Sequence, residues 1–497
     1  MRMSKFVVFG TFLLVGFSSG VYALNDTGAR AMGLAQSYTA LARGPEAAFW
    51  NPANLALGSG VKFSWDALSL GGTLAARNNS FSLKTYGDYF TKGSGRITEG
   101  DKDSVLGEID EDGFRLNMDF TPHVAALLPL ANQGVTFKLP WWDIHSAVTI
   151  GFDSGFEGAV PKDLFEFMIR GNKFNKSYHI GKWDGSFWAV NSLNWSGARA
   201  WMPPQFKPYL SEFTVGATLK FMLGGYGEVK ESGGDLIAYF GDPQNPERLG
   251  TDISTYAVSQ IGSGLGFGID LGVAGVTMDR KTTISVGLLN LLDFMSWGGN
   301  FYPAMSIDTS GSKPKPIFTT IKNRQDSLFV KANDLLVTRL LDVKKVEEVL
   351  DNPINEDGEV VFYEKIGDNS LSRSLPAMLR VGAMHQLEQN RIPGKLIVVG
   401  NLDQAFSSGF GLGTTPRVSA GAEWRPLPWL PIRSGLSVGG GMSGWNAGGG
   451  FGPFNFPYVQ LKVLNGALGT RNGFSIGSAK GLFFSVMFIE VKAFPFK

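Results

Sequence analysis

The sequence has no cysteine, so no disulfide, thiolate metal cage or thiol nucleophile is available to it. Its four histidines, His123, His145, His179 and His385, are scattered without metal-ligand spacing. After residue 23 no apolar run reaches roughly 18 residues, which excludes a membrane-spanning helix. A dominant charge is missing too. There are 45 basic and 44 acidic side chains, and removal of Arg2 and Lys5 with an export leader takes the basic count to 43. Neither that near-neutral balance nor any polybasic block gives nucleic acid something to bind. The acidic turns Asp110-Glu111-Asp112-Gly113 and Asn355-Glu356-Asp357-Gly358 lack the D-x-D-x-D-G spacing of a calcium loop. They read as solvated loops, with loose divalent binding as the alternative. G-x-S-x-G occurs at 435–439 and 473–477, but neither copy leads into the helix that a nucleophile elbow needs. The G-x-G-x-x-G at 439–444 runs into more glycine instead of a phosphate-binding helix. No enzyme activity, metal or cofactor is expected.

What is present begins with a secretory leader over residues 1–23. Arg2 and Lys5 form its basic start, residues 6–17 its apolar run, and Val21 and Ala23 its small-residue exit. Beyond it, 65 glycines and a 12% aromatic share are unusual for a soluble exported protein, because glycine weakens ordinary strands. The strands alternate. Val61, Phe63, Trp65 and Ala67 interleave with Lys62, Ser64 and Asp66; Phe213 through Phe221 interleave with Thr214, Gly216, Thr218 and Lys220. The same period of two recurs at 264–273, 283–288, 379–383, 417–425 and 459–463. A soluble sandwich alternates as well, but here the second face is glycine, serine, threonine and lone charges, as a crowded lumen requires. The fold class expected is all-β: a transmembrane antiparallel β-barrel of about 14 strands in the outer membrane of a Gram-negative-type bacterium.

Residues 24–60 form a hatch ahead of a barrel domain spanning 61–497, with short helices in its loops near 161–171 and 328–350. Residues 99–112 carry seven carboxylates and one lysine and read as a solvated loop. In the first helix Leu164, Phe165, Phe167, Met168 and Ile169 offer either a greasy landing groove or simple self-burial. Lys220, Asp270, Arg380, Arg417, Glu423, Arg425 and Lys462 fall on the lumen face, to pair with one another or to set a polar channel. Trp141, Trp142, Trp183, Phe187, Trp188, Trp195 and Trp201 suggest interfacial girdles, with a sugar-binding platform as the alternative. The last apolar strand, 481–494, precedes Phe496 and the terminal Lys497.

The segment GARAMGLAQSYTALARGPEAAFWNPANLAL, with its Asn-Pro-Ala ahead of a barrel, resembles the hatch of FadL-type outer-membrane transporters. The same segment, with GSGLGFGIDLGVAGV, LPAMLRVGAMHQL and TTPRVSAGAEWRPLPWLPIRSGLSVGGG, is also similar to the PorV/PorQ branch. The resemblance makes Asn51, Pro52 and Ala53 hatch residues. Phe49 and Trp50 add an apolar wedge, Pro52 fixes a turn, and the Asn51 amide is expected to bond to the barrel wall. Two functions follow from the resemblance. One is passive transport of hydrophobic compounds such as long-chain fatty acids, with outer-membrane lipid around the barrel. The other is a PorV-like platform holding a secreted protein cargo during type IX secretion. A porin for small polar solutes is a third class.

Overall fold

The computed structural model describes residues 28–58, 62–91, 98–171, 176–179, 184–242, 245–297, 328–329, 371–388 and 393–494. The leader, Val61, Trp183, Phe496, Lys497 and nearly all of the helix expected at 328–350 lie outside them. Two short helices, α1 (Ala29–Gly33) and α2 (Ala47–Trp50), precede strand β1 (Phe63–Asn78). The outer connection after β1 holds α3 (Leu83–Tyr86) and α4 (Glu99–Gly107). Next come β2 (Phe114–Ala126), β3 (Leu128–Ala131), β4 (Gln133–Leu139) and β5 (Ile144–Val160), then α5 (Lys162–Arg170). The wall continues through β6 (Ser177–His179), β7 (Asp184–Ala200), β8 (Leu210–Asp242), β9 (Asn245–Thr277) and β10 (Thr282–Leu289). Short pieces β11 (Phe294–Trp297), β12 (Leu328–Phe329) and β13 (Leu371–Ser372) follow. The chain ends with β14 (Met378–Leu387), β15 (Lys395–Ala405), β16 (Arg417–Leu427), β17 (Leu430–Gly439), β18 (Gly444–Asn455), β19 (Val459–Arg471) and β20 (Gly481–Ala493).

Consecutive wall strands pair antiparallel, and β20 returns to β1 in a ladder running from Trp65↔Ala493 to Arg77↔Gly481. The sheet is thus a closed barrel of 14 strands, β2 and β4 together making one interrupted strand. Closure leaves no edge, as a sheet in lipid requires. The two faces invert the pattern of a soluble protein. On β1, Leu70 and Leu74 are each 53% exposed while Ser69 and Thr73 between them are 1% and 2% exposed. On β8 and β9, Phe221 and Leu265 face out while Thr214, Thr218 and Asp270 are fully buried. Apolar side chains outside and polar ones inside are what lipid around the barrel and a filled lumen select.

Several expectations are corrected. The strands β8 and β9 run 33 residues each, far longer than the alternating stretches that announce them. Leu328 and Phe329 pair with Ile253 and Asp252 as strand, not as the start of a helix. The acidic stretch 99–112 is not a plain loop. Thr98 and Asp101 form a capping box that starts α4, Thr98 Oγ1 accepting from the Asp101 N–H at 3.2 Å and Asp101 Oδ2 from the Thr98 N–H at 2.8 Å. Those bonds hold the Asp101 carboxyl below its usual range. Glu99 and Asp101 sit in the first turn, where the helix dipole favours them, and Val105, Leu106 and Ile109 are buried. They pack with Phe81, Phe114, Phe165 and Ile169, the last two from α5. Residue count of charges concealed a three-residue apolar face.

Candidate functional site

Residues 28–57 lie inside the barrel, and almost every one of them is buried or half-buried. The wall makes room for them with glycine. A Cβ on Gly216 would stand 2.5 Å from the Ala53 nitrogen, one on Gly382 2.7 Å from the Thr39 Cβ, and one on Gly435 2.6 Å from the Leu34 carbonyl carbon. A Cβ on Gly272 would overlap Asn51 Oδ1. Glycine-rich strands therefore encircle the hatch because its backbone touches theirs. Apolar contact adds to this: Leu34, Tyr38, Leu41 and Trp50 pack on Ile397 and Val399 of β15.

Polar ties fix the orientation. Asn51 Nδ2 donates to the backbone carbonyls of Val273 at 3.0 Å and Val286 at 3.2 Å, on neighbouring strands β9 and β10. Its Oδ1 accepts from the Ala53 N–H at 3.0 Å and caps the turn that Pro52 begins. Trp50 is fully buried, with the Arg380 guanidinium 4.2 Å from its ring centroid. Phe49 is only half-buried and packs at the edge of the same cluster. Sequence reasoning missed three further ties. Ser285 Oγ donates to Asn54 Oδ1 at 2.8 Å, Asn446 Nδ2 donates to the Met32 carbonyl at 2.7 Å, and Ser37 and Ser419 share a 2.8 Å hydroxyl bond. The second asparagine of Asn-Pro-Ala-Asn is the one signal that points to any of them.

The seven lumen charges expected from the sequence all find partners. Lys220 pairs with Asp270 at 2.8 Å, Lys462 with Glu490 at 2.6 Å, and Arg380 and Arg417 both with Asp403, the former at 3.4 Å. Glu423 is fully buried and meets three guanidinium groups: Arg30 of the hatch at 2.8 Å, Arg433 at 2.7 Å and Arg425 at 2.9 Å. The hatch is thereby clamped electrostatically as well as sterically.

Among the described residues the wall is parted between β2 and β5. β2 pairs with β5 only from Phe114↔Val160 to Asp119↔Gly155, and β4 takes over from Gln133↔Ile150. Between them the chain doubles back through β3, which pairs with β2 and not with β5. Asn132 bridges the gap as a surrogate peptide: Nδ2 donates to the Pro122 and Phe152 carbonyls at 2.9 and 3.0 Å, and Oδ1 accepts from the Phe152 N–H at 3.1 Å. Leu127, Leu128 and Leu130 project outward there, 71%, 69% and 54% exposed. On the lumen side, His123 and Gln133 line a cavity of about 400 Å³ whose other walls are the hatch and the inner ends of β14–β20.

The loop side of the lumen is apolar. Trp188, Tyr226, Trp297 and Phe410 stack at centroid distances of 5.2–6.2 Å and pack with Met222, Met295 and Leu375. Trp188 is therefore a lumen residue, not part of a girdle. Trp141, Trp142, Trp195 and Trp201 are exposed on the outside, with Phe187. On α5, Phe165 and Ile169 are spent on packing against α4, Phe167 stacks edge-on with Tyr178 at 5.6 Å, Leu164 is half-buried, and Met168 is exposed.

A family model, DUF5723, described as a family of unknown function, matches residues 56–459. The chain belongs to that family. Among curated proteins none matches. Solved barrels align along nearly its whole length. A FadL homologue from Pseudomonas aeruginosa covers 96% of this chain and 98% of its own at 10% identity, with a TM-score of 0.38. The toluene transporter TodX of Pseudomonas putida covers 95% and 98% at 11% identity, with a TM-score of 0.42. CymD, a monoaromatic hydrocarbon channel, covers 96% and 99% at 11% identity, with a TM-score of 0.36. Like them, this DUF5723 chain is a barrel; its hatch, glycine ring and parted wall are described from its own structure.

Proposed function

We propose that the protein is a passive outer-membrane channel for hydrophobic compounds, long-chain fatty acids among them. The observation that carries this reading is the parted wall between β2 and β5 in a barrel whose axial path is filled by the hatch. A polar solute gains nothing from an exit into lipid, whereas an apolar one is driven there, each buried CH₂ favouring the apolar phase by about 0.8 kcal/mol. Leu164 and Met168 at the outer rim offer the first contact, and the aromatic core around Trp188 and Phe410 offers the next. From there the compound passes the hatch edge near Phe49 and leaves past Asn132 and the exposed leucines of β3. No fuel is needed, because the direction follows the concentration gradient. The secretion-platform alternative gains no support from the comparisons.

Cells lacking the gene should take up a labelled apolar compound more slowly, and the gene supplied on a plasmid should restore the rate. Equal uptake in both strains overturns the reading. Replacing Asn132 with alanine removes the bridge across the gap and should raise the rate further, without raising entry of a labelled sugar.

A further inference from the structure

One ring of the aromatic core comes from a different place than the others. Trp188, Tyr226 and Trp297 belong to β7, β8 and β11. Phe410 lies in the connection from β15 to β16, residues 406–416. In the wall, β9, β10 and β14 stand between β8 and β15, so this connection reaches in over the lumen to set Phe410 among those rings. The Phe410 centroid is 5.2 Å from that of Trp188, 5.5 Å from Tyr226 and 6.2 Å from Trp297. Its side chain is 5% exposed, while residues 406–408 before it and 413–416 after it are exposed. The backbone beneath the ring is strained. Phe410 has φ +45°, between Gly409 at +139° and Gly411 at +71°. Glycine adopts such angles freely, whereas a residue with a bulky side chain does so only where its surroundings compel it. Few bonds hold the turn: Gly409 and Leu412 exchange backbone bonds of 3.0 Å, and the Gly411 carbonyl accepts from Arg77 at 3.1 Å. Burial of the ring is what keeps this strained turn folded inward. The cage does not depend on the turn in the same way, because Trp188 and Tyr226 sit in the paired ladders of β7 and β8.

We infer that Phe410 is a removable stopper: its ring fills a ready-made apolar cage, and a compound entering from the outer rim takes its place. With Phe410 withdrawn, three rings together with Met222, Met295 and Leu375 face a space the size of one benzene ring. An apolar entrant exchanges one set of apolar contacts for an equal one and relieves the strained backbone, so the exchange needs no fuel. A polar solute gains nothing from the cage and leaves the stopper seated. Selection thus begins at the outer end, before the hatch is reached. The inference deepens the transport reading and rests on it for the direction of entry.

The test is hydrogen exchange of the full-length wild-type barrel in lipid nanodiscs, with and without ethylbenzene, whose ring equals the one it displaces. Saturating ethylbenzene should speed exchange of the Gly409 and Leu412 amides, whose mutual bonds break as the ring leaves, by at least about tenfold. Slower or unchanged exchange there makes Phe410 a fixed part of the wall and overturns the inference. A second measurement is binding of labelled ethylbenzene above that of empty nanodiscs. Phe410→Ala should tighten it on the order of tenfold, because the cage no longer has to be vacated. Unchanged or weaker binding in the folded variant also overturns the inference, and if the variant does not fold the wild-type exchange decides alone. If cells lacking the gene take up apolar compounds normally while ethylbenzene still speeds the exchange, the transport reading falls and the stopper stands.

Discussion

Asn51→Ala should open the barrel to ions. The hatch lies in the lumen with its backbone against wall glycines, and among the described residues Asn51 is the side chain that joins it to two adjacent strands. Alanine removes both bonds and leaves the Val273 and Val286 carbonyls with one acceptor site each unmet in a buried place, at about 1–3 kcal/mol per group. It also releases the Ala53 N–H that Oδ1 caps. A loss of about 3 kcal/mol shifts a two-state hatch roughly a hundredfold toward release. Planar-bilayer recordings should therefore show a closed wild type and frequent ohmic openings in the variant. Asn51→Asp keeps the acceptor for Ala53 but turns a carboxylate toward two carbonyls, so it should open at least as often. Silence in both variants would transfer the seat to the Asn54–Ser285 and Met32–Asn446 ties.

Glu423→Gln should destabilise the folded barrel more than any neutral change on its surface. The carboxylate has no exposure and three guanidinium partners, and Arg433 among them is 4% exposed. Removing one side of a buried ion cluster costs about 3–5 kcal/mol, because the remaining charges stay buried without compensation. Urea unfolding in detergent should register that loss. Arg30→Met in the same background should recover part of it by removing one stranded charge, a non-additivity that two unlinked sites would not give. Since Arg30 belongs to the hatch, the single change should also make residues 28–57 more accessible to protease than in the wild type.

The barrel was legible because lipid and lumen impose opposite demands on successive residues, and strands such as β1, β9 and β17 obey them. Where both faces are apolar the signal fails. Ile397 and Val399 of β15 face the hatch while Leu402 faces lipid, so the strand reads as a continuous apolar run and conceals Asp403, the partner of two buried arginines. Trp188 misleads for a related reason. It shares a strand with the outward-facing Trp195 and Phe187, but lies one residue from the latter and seven from the former, so the alternation along β7 turns it inward and a reading by clustered aromatics passes over that. Helix α4 was hidden by its charges, which are concentrated on the wet side and at the capped end. The chamber under the hatch was out of reach altogether. Its cations come from the hatch and from five of the last seven strands or their ends, and no stretch of sequence brings them together.

The central claim is that a sealed axial path and a parted wall together select apolar compounds over polar ones. Proteoliposomes carrying the wild-type barrel test it most directly, with an entrapped polar dye and a labelled apolar compound followed in the same vesicles. The account predicts faster transfer of the apolar compound than in protein-free vesicles, with the polar dye retained. Release of the polar dye with no gain in apolar transfer would contradict it.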